Sequence, residues 1–173
     1  MTDEDQKVPP DRLATNSLAS LRSLLIASLE DENVHAGFAK VFAGVPPAMR
    51  GVQAGGQPFT LWQQLEHLRL CLIDFLDYCR VPGYIELKFP EGYWPATDAP
   101  PDQEGWDHSI QEYGLAMQQM KAMVLDSSTD LFAPIPGGDG RTVLRQVLAA
   151  LDHNAYHLGQ AVLLLKLLDE WKQ

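Results

Sequence analysis

The stretch Arg141–Glu170, RTVLRQVLAALDHNAYHLGQAVLLLKLLDE, decides the fold. Alanine and leucine dominate it, Gly159 is its one helix breaker, and its apolar residues recur at steps of three and four, so it reads as one long amphipathic helix. At about 100° per residue, Arg141, Arg145, Asp152, Tyr156 and Lys166 fall on one arc. His153 and His157 fall on the shoulder of the apolar arc, bordering the core instead of open solvent. Imidazoles at i and i+4 have Cβ atoms about 5–6 Å apart, close enough for both to reach one ion.

Working back from that helix, the turn Gly137-Gly138-Asp139-Gly140 sets it off from a third helix over about Trp106–Leu125, with Ile110, Tyr113, Met117, Met120 and Val124 inward. This turn has glycines but neither the lysine nor the spacing of a phosphate-binding loop, so a turn and helix cap is expected. Before the third helix lies a proline- and aromatic-rich connection over 80–105, too long for a passive turn. Its aromatics favour packing over disorder. A second helix is predicted from Thr60, where Thr60-Leu61-Trp62-Gln63 reads as a capping box, to about Cys79 ahead of Pro82. Leu61, Leu65, Leu68, Leu72, Phe75 or Leu76, and Cys79 form its stripe. A first helix over about Ser17–Glu30, capped by Asn16 or Ser17, buries Leu18, Leu21, Leu24, Leu25 and Leu29, and a shorter helix follows over about Ala36–Ala43. Residues 1–14 read as a flexible acidic tail. The expected architecture is all-α, a single four-helix bundle over 15–173 with long connections.

Composition limits what such a bundle does. At 173 residues with 46% apolar content the chain can bury one full core. A formal charge of −10, with no Lys/Arg cluster to reverse it locally, argues against nucleic acid and anionic membrane surfaces as partners. The N-terminus has no apolar leader segment and no run approaches the roughly 18 apolar residues that span a bilayer, so a cytoplasmic location is expected. Cys71 and Cys79 lie eight residues apart on one helix, about 12 Å, and cannot bridge each other.

His67 follows Glu66 in the middle of the second helix, at a level where a bundle presents it toward His153 and His157. Three nitrogens from two helices leave coordination positions open for water or substrate, the arrangement of a catalytic rather than a structural metal. The same three residues could equally be hydrogen-bonded boundary histidines with no ion. The strings Leu61-Trp62-Gln63-Gln64-Leu65-Glu66-His67-Leu68-Arg69 and Asp152-His153-Asn154-Ala155-Tyr156-His157-Leu158-Gly159-Gln160, with the Tyr93-Trp94-Pro95 turn between them, resemble the DinB/YfiT family of metalloenzymes. That resemblance implies a four-helix bundle holding a divalent metal, zinc, nickel or iron, on His67, His153 and His157. It further implies a metal-dependent transferase or hydrolase, with the metal activating a low-molecular-weight thiol or water against a small-molecule substrate, and a homodimer. No residue pattern identifies a thiol site or a catalytic residue.

Two other classes stay open: a non-catalytic bundle that binds metal or a small ligand, and a metal-free helical interaction protein. Among the secondary candidates, His35 could approach the metal but reads better as a turn histidine, and His108 as exposed. Cys71, four residues after His67, could add a thiolate but reads better as a buried cysteine. Asp152, Asn154 and Glu66 point about 100° away from their histidine neighbours, so they could orient only a histidine on another helix. Tyr156 lies near the polar arc, and Tyr93, Trp94 and Trp106 could wall a pocket. A di-iron carboxylate centre needs two Glu-x-x-His pairs; Glu32-Asn33-Val34-His35 is the only match and is set aside.

Overall fold

A computed structural model of the chain describes residues 10–30 and 34–171. Four long helices and one short one account for its regular structure: α1 Pro10–Ser28, α2 Phe38–Phe42, α3 Leu61–Arg80, α4 Gln103–Leu125 and α5 Val143–Leu167. Single 3-10 turns at Pro47–Met49 and Glu91–Tyr93 punctuate the connections. An isolated bridge between Pro134 and Thr142 is the sole β pairing found among the described residues. The chain is thus the all-α bundle its periodicity implies.

Helix α3 is the central element, packed against both α4 and α5, while α1 lies on α4 and α2 on α5. Its sequence explains that position. Leu61, Leu65, Leu68, Leu72 and Leu76 are all nearly inaccessible to solvent and mesh with Trp106, Met120 and Val124 of α4 and with Val147, Ala150, Ala161 and Leu164 of α5. Burying each of these large side chains stabilises the fold by about 1.5–3 kcal/mol before entropy is counted.

The helix starts follow local chemistry. Thr60 accepts from the Gln63 backbone N–H while the Gln63 side chain accepts from the Thr60 N–H, so the expected capping box closes. Asp102 caps α4 through the Gly105 N–H, and Thr142 caps α5 through the Arg145 N–H. The other end of α4 is sealed from outside: Arg22 of α1 donates to the carbonyl oxygens of Val124 and Thr129.

Three expectations need correction. Helix α1 begins at Pro10, not at a cap on Asn16 or Ser17, because proline fits the first helical position, where its missing N–H loses no bond. Residues 10–14 therefore belong to α1, and residues 1–9 of the expected tail lie outside the described residues, as do Glu32 and Asn33. Leu24 is 66% exposed, since α1 packs mainly on α4 and a residue 100° from Leu25 misses so narrow an interface. Trp106 is 1% exposed in the core and is not among the residues that line the cavity at the histidines. No helix among the described residues is long and apolar enough to cross a membrane.

Candidate metal centre

Helix α3 carries a second stripe that the leucine count hides. Gln64, His67, Cys71, Asp74 and Tyr78 follow one another at steps of three and four, so they line one face, and all five are buried. This polar face looks toward α5 and the connection after α3. The long leucine stripe beside it holds the backbone still.

His67, His153 and His157 come together there, with one ring nitrogen from each lying within 4.8 Å of the other two. The Nε2 atoms of His67 and His153 are 3.1 Å apart. Nitrogens sharing one zinc-like ion at about 2.05 Å in tetrahedral geometry sit roughly 3.3 Å from each other, so this spacing suits a shared ion. The other nitrogen of two rings is already engaged: His67 Nδ1 donates to the Tyr93 carbonyl at 2.7 Å and His157 Nδ1 to Gln64 Oε1 at 2.8 Å. Gln64 is itself oriented, because its amide N–H donates to Gln160 Oε1 at 2.9 Å. Each of those bonds fixes the tautomer that leaves Nε2 as a bare lone pair, the form a metal requires. His153 Nδ1 is buried with no hydrogen-bond partner. The donor set therefore fits a borderline divalent cation, and it leaves room for further ligands.

Aromatic packing restrains the rings. The indole of Trp94 stacks on His67 with centroids 3.8 Å apart and planes 4° from parallel, and it stacks on Phe59 as well. The connection that brings Trp94 in is pinned by Asp74, whose Oδ1 accepts from Tyr84 at 2.9 Å and from Tyr93 at 3.0 Å. One residue thus supplies two anchors: the Tyr93 hydroxyl holds Asp74 and its carbonyl holds His67. Farther along, Thr60 and Trp62 bind Asp98 and Thr97.

Electrostatically the centre is built from neutral bases. Burial pushes the His153 pKa down to about 4 and the His157 pKa down to about 3, and mutual repulsion among the three imidazoles adds to it. Burial also lowers the pKa of His67, against the bond to Tyr93. Cys71 Sγ lies 3.6 Å from His67 Nδ1, but burial and then the neighbouring Asp74 push its pKa up to about 12. It is a thiol wedged against a histidine, and it stands outside the three-histidine group. Asp74 is raised above the usual carboxylate range by burial, against the pull of the two tyrosines.

The histidines open onto a cavity of about 630 Å³ with Phe75, Leu87, Phe89, Tyr93 and Trp94 in its walls. Arg141 and Arg145, eight or more residues before His153 in sequence, also line it. His35 is exposed, contacts the Ala36 carbonyl and does not line this cavity; His108 and Tyr156 are exposed as well. Glu66 pairs with Arg69, Asn154 donates to Tyr113, and Asp152 is exposed, so none of the three orients a histidine of another helix. Gln64, Asp74 and Arg145 went unrecognised in the sequence. The signal for the first two was available: polar residues at −3 and +7 from a histidine share its face.

A bundle with three convergent histidines from two of its helices defines a class of possible metal-binding proteins. Residues 30–161 match the family model described as the DinB superfamily, well over half of the chain, and the protein belongs to that superfamily. Comparison with curated proteins and with solved structures gave no match.

Proposed function

We propose that the protein is a metal-dependent enzyme in which His67, His153 and His157 hold one divalent cation and the adjoining cavity admits a small-molecule substrate. The observation that carries this reading is the state of the converging rings: Gln64 and the Tyr93 carbonyl each occupy an Nδ1 and leave the Nε2 of His157 and of His67 as lone pairs that can bind a cation. Bound there, a zinc or nickel ion acts as a Lewis acid and lowers the pKa of a thiol or water beside it, giving a nucleophile near neutral pH.

The chain's own residues do the rest. Three uncharged imidazoles leave the cation's charge undiminished, which favours an anionic nucleophile. Trp94 and Phe75 shield the centre from bulk water, and Tyr93 ties the cavity wall to the ligand it orients. Thiol transfer or hydrolysis is the reaction class that such a centre serves. Both cysteines are free, which suits the reducing cytoplasm.

The test uses protein purified without a histidine tag. Elemental analysis should find about one zinc or nickel per chain in the native protein and under a tenth of that in the His153→Ala, His157→Ala variant. Turnover of thiol-plus-electrophile and ester substrates should follow metal content. Unchanged metal in the variant refutes the ligand set; full metal without turnover makes the protein a binding module.

A further inference from the structure

The geometry points to Arg145 as a specificity-determining residue that makes the cavity select an anionic ligand, an amphipathic carboxylate with an apolar body. This rests on the metal reading for what happens at the histidines, but not for the recognition of charge at the other end.

The two guanidinium groups that line the cavity differ. Arg141 is committed: its Nη atoms bind both Glu86 oxygens at 2.7 and 2.6 Å, its Nε binds Asp139 Oδ1 at 2.8 Å, and it covers the ring of Tyr78. Arg145, four residues later and in the first turn of α5, lines the same cavity. Among the described residues it forms no salt bridge, and its side chain donates to Gln146 Oε1 alone at 2.6 Å. Glu86 feels the field of Arg145, but both of its oxygens are taken by Arg141. Among the described residues this solvent-exposed guanidinium therefore has no salt-bridge partner, and it stands at the cavity's open side.

The surroundings define what would complete it. A chain with a net charge of −10 repels anions at large, so a cavity that admits one needs a local cation. The other carboxylate of the wall, Asp74, is buried beneath two tyrosine hydroxyls that donate to it. At about 630 Å³ the cavity far exceeds an inorganic anion, and Phe75, Leu87, Phe89 and Trp94 offer it apolar surface. Arg145 precedes His153 by eight residues, about 12 Å along the helix axis. A ligand that reaches both must place several bonds between its carboxylate and the end that meets the histidines. A planar guanidinium receives a carboxylate through two parallel hydrogen bonds, which a neutral amide cannot reproduce.

The experiment compares 5-phenylpentanoate with its neutral amide, titrated calorimetrically into the zinc-loaded full chain. The acid should bind at least tenfold more tightly than the amide to the native protein. Arg145→Gln should reduce that preference to under twofold and Arg145→Lys should keep part of it, with zinc content and helical circular dichroism as native. Failure of both probes to bind the native chain, or equal affinity for the two, overturns the assignment. So does a preference that persists in Arg145→Gln, which would put the carboxylate on the metal instead. Should the chain take up no zinc, the same titrations on the metal-free protein decide: an Arg145-dependent preference there retains this inference while rejecting the metal, and none rejects both.

Discussion

Gln64 Oε1 stands 2.8 Å from Nδ1 of His157, joining the central helix to the last one at the level of the three histidines. A glutamine 2% exposed in a bundle core is expensive unless its polar atoms are satisfied. This one is held in a single orientation by its N–H bond to Gln160. Gln64→Ala should therefore weaken zinc binding by about ten- to hundredfold, the range found when a residue that orients a metal-bound histidine is removed. Competition with a chromophoric chelator measures it. An affinity within twofold of native would show that the tautomer of His157 is set by something else.

Asp74 sets the position of the connection that carries Tyr93 and Trp94. Asp74→Ala strips two hydroxyls of a shared acceptor and should lower stability by about 1.5–3 kcal/mol, the range for hydrogen bonds to a charged group. Asp74→Asn keeps a carbonyl for both tyrosines and removes a carboxylate that burial already disfavours. It should therefore stay within about 1 kcal/mol of native at pH 7, where the desolvation of a charge no longer opposes the bonds. Urea titration of the two variants gives the comparison, and equal losses would mean that the tyrosines do not depend on that oxygen.

Much of this arrangement was legible in the sequence, and the portion that was not has a physical cause. Helix spacing, the Thr60 capping box and the leucine stripe are local, so they could be read from neighbours three and four residues apart. The meeting of His67 with His153 is a contact across 86 residues, and it entered through the expected bundle arrangement and a family resemblance rather than through periodicity. The place of Asp74 on the face of His67 was legible, but its role was not, because its partners, Tyr84 and Tyr93, lie in a connection without periodicity. Arg145 was placed on the polar arc, which is correct for the helix alone; the return of the connection past Glu86 and Leu87 turns part of that arc into a cavity wall. Leu24 failed the opposite way, because a helix wheel does not show how many neighbours a helix has.

Trp94 reports on the centre because its indole lies parallel to the ring of His67 at 3.8 Å. Cobalt(II) bound to His67 should quench its fluorescence strongly, and Trp94→Phe should remove most of the quenching while leaving that of Trp62, Trp106 and Trp171. Aromatic pairs of this kind contribute about 0.5–1.5 kcal/mol, so the variant should also lose a few-fold in cobalt affinity. Quenching that is identical in the variant would place the ion away from residue 67.

Acid should act on the centre at a lower pH than histidine chemistry alone would give. An ordinary imidazole, with a pKa near 6.5, is largely protonated at pH 5.5 and gives up its metal. In the folded protein burial holds His153 at about 4 and His157 at about 3. Protons therefore compete weakly until the pH nears 4, and zinc affinity should be almost flat from pH 8 to 5.5, where a peptide with the same His-x-x-x-His spacing already loses it. Stability of the metal-free protein follows the opposite rule. Between pH 6.5 and about 4 the unfolded chain binds protons that the folded state refuses, so stability is complete above pH 6.5 and declines as the pH falls through that window. Thermal unfolding of the metal-free chain at pH 7.5 and pH 5 should show the lower midpoint at pH 5, and His153→Gln, His157→Gln should narrow the gap because neither replacement titrates. A gap of the same size in that variant would show that other groups carry the acid sensitivity.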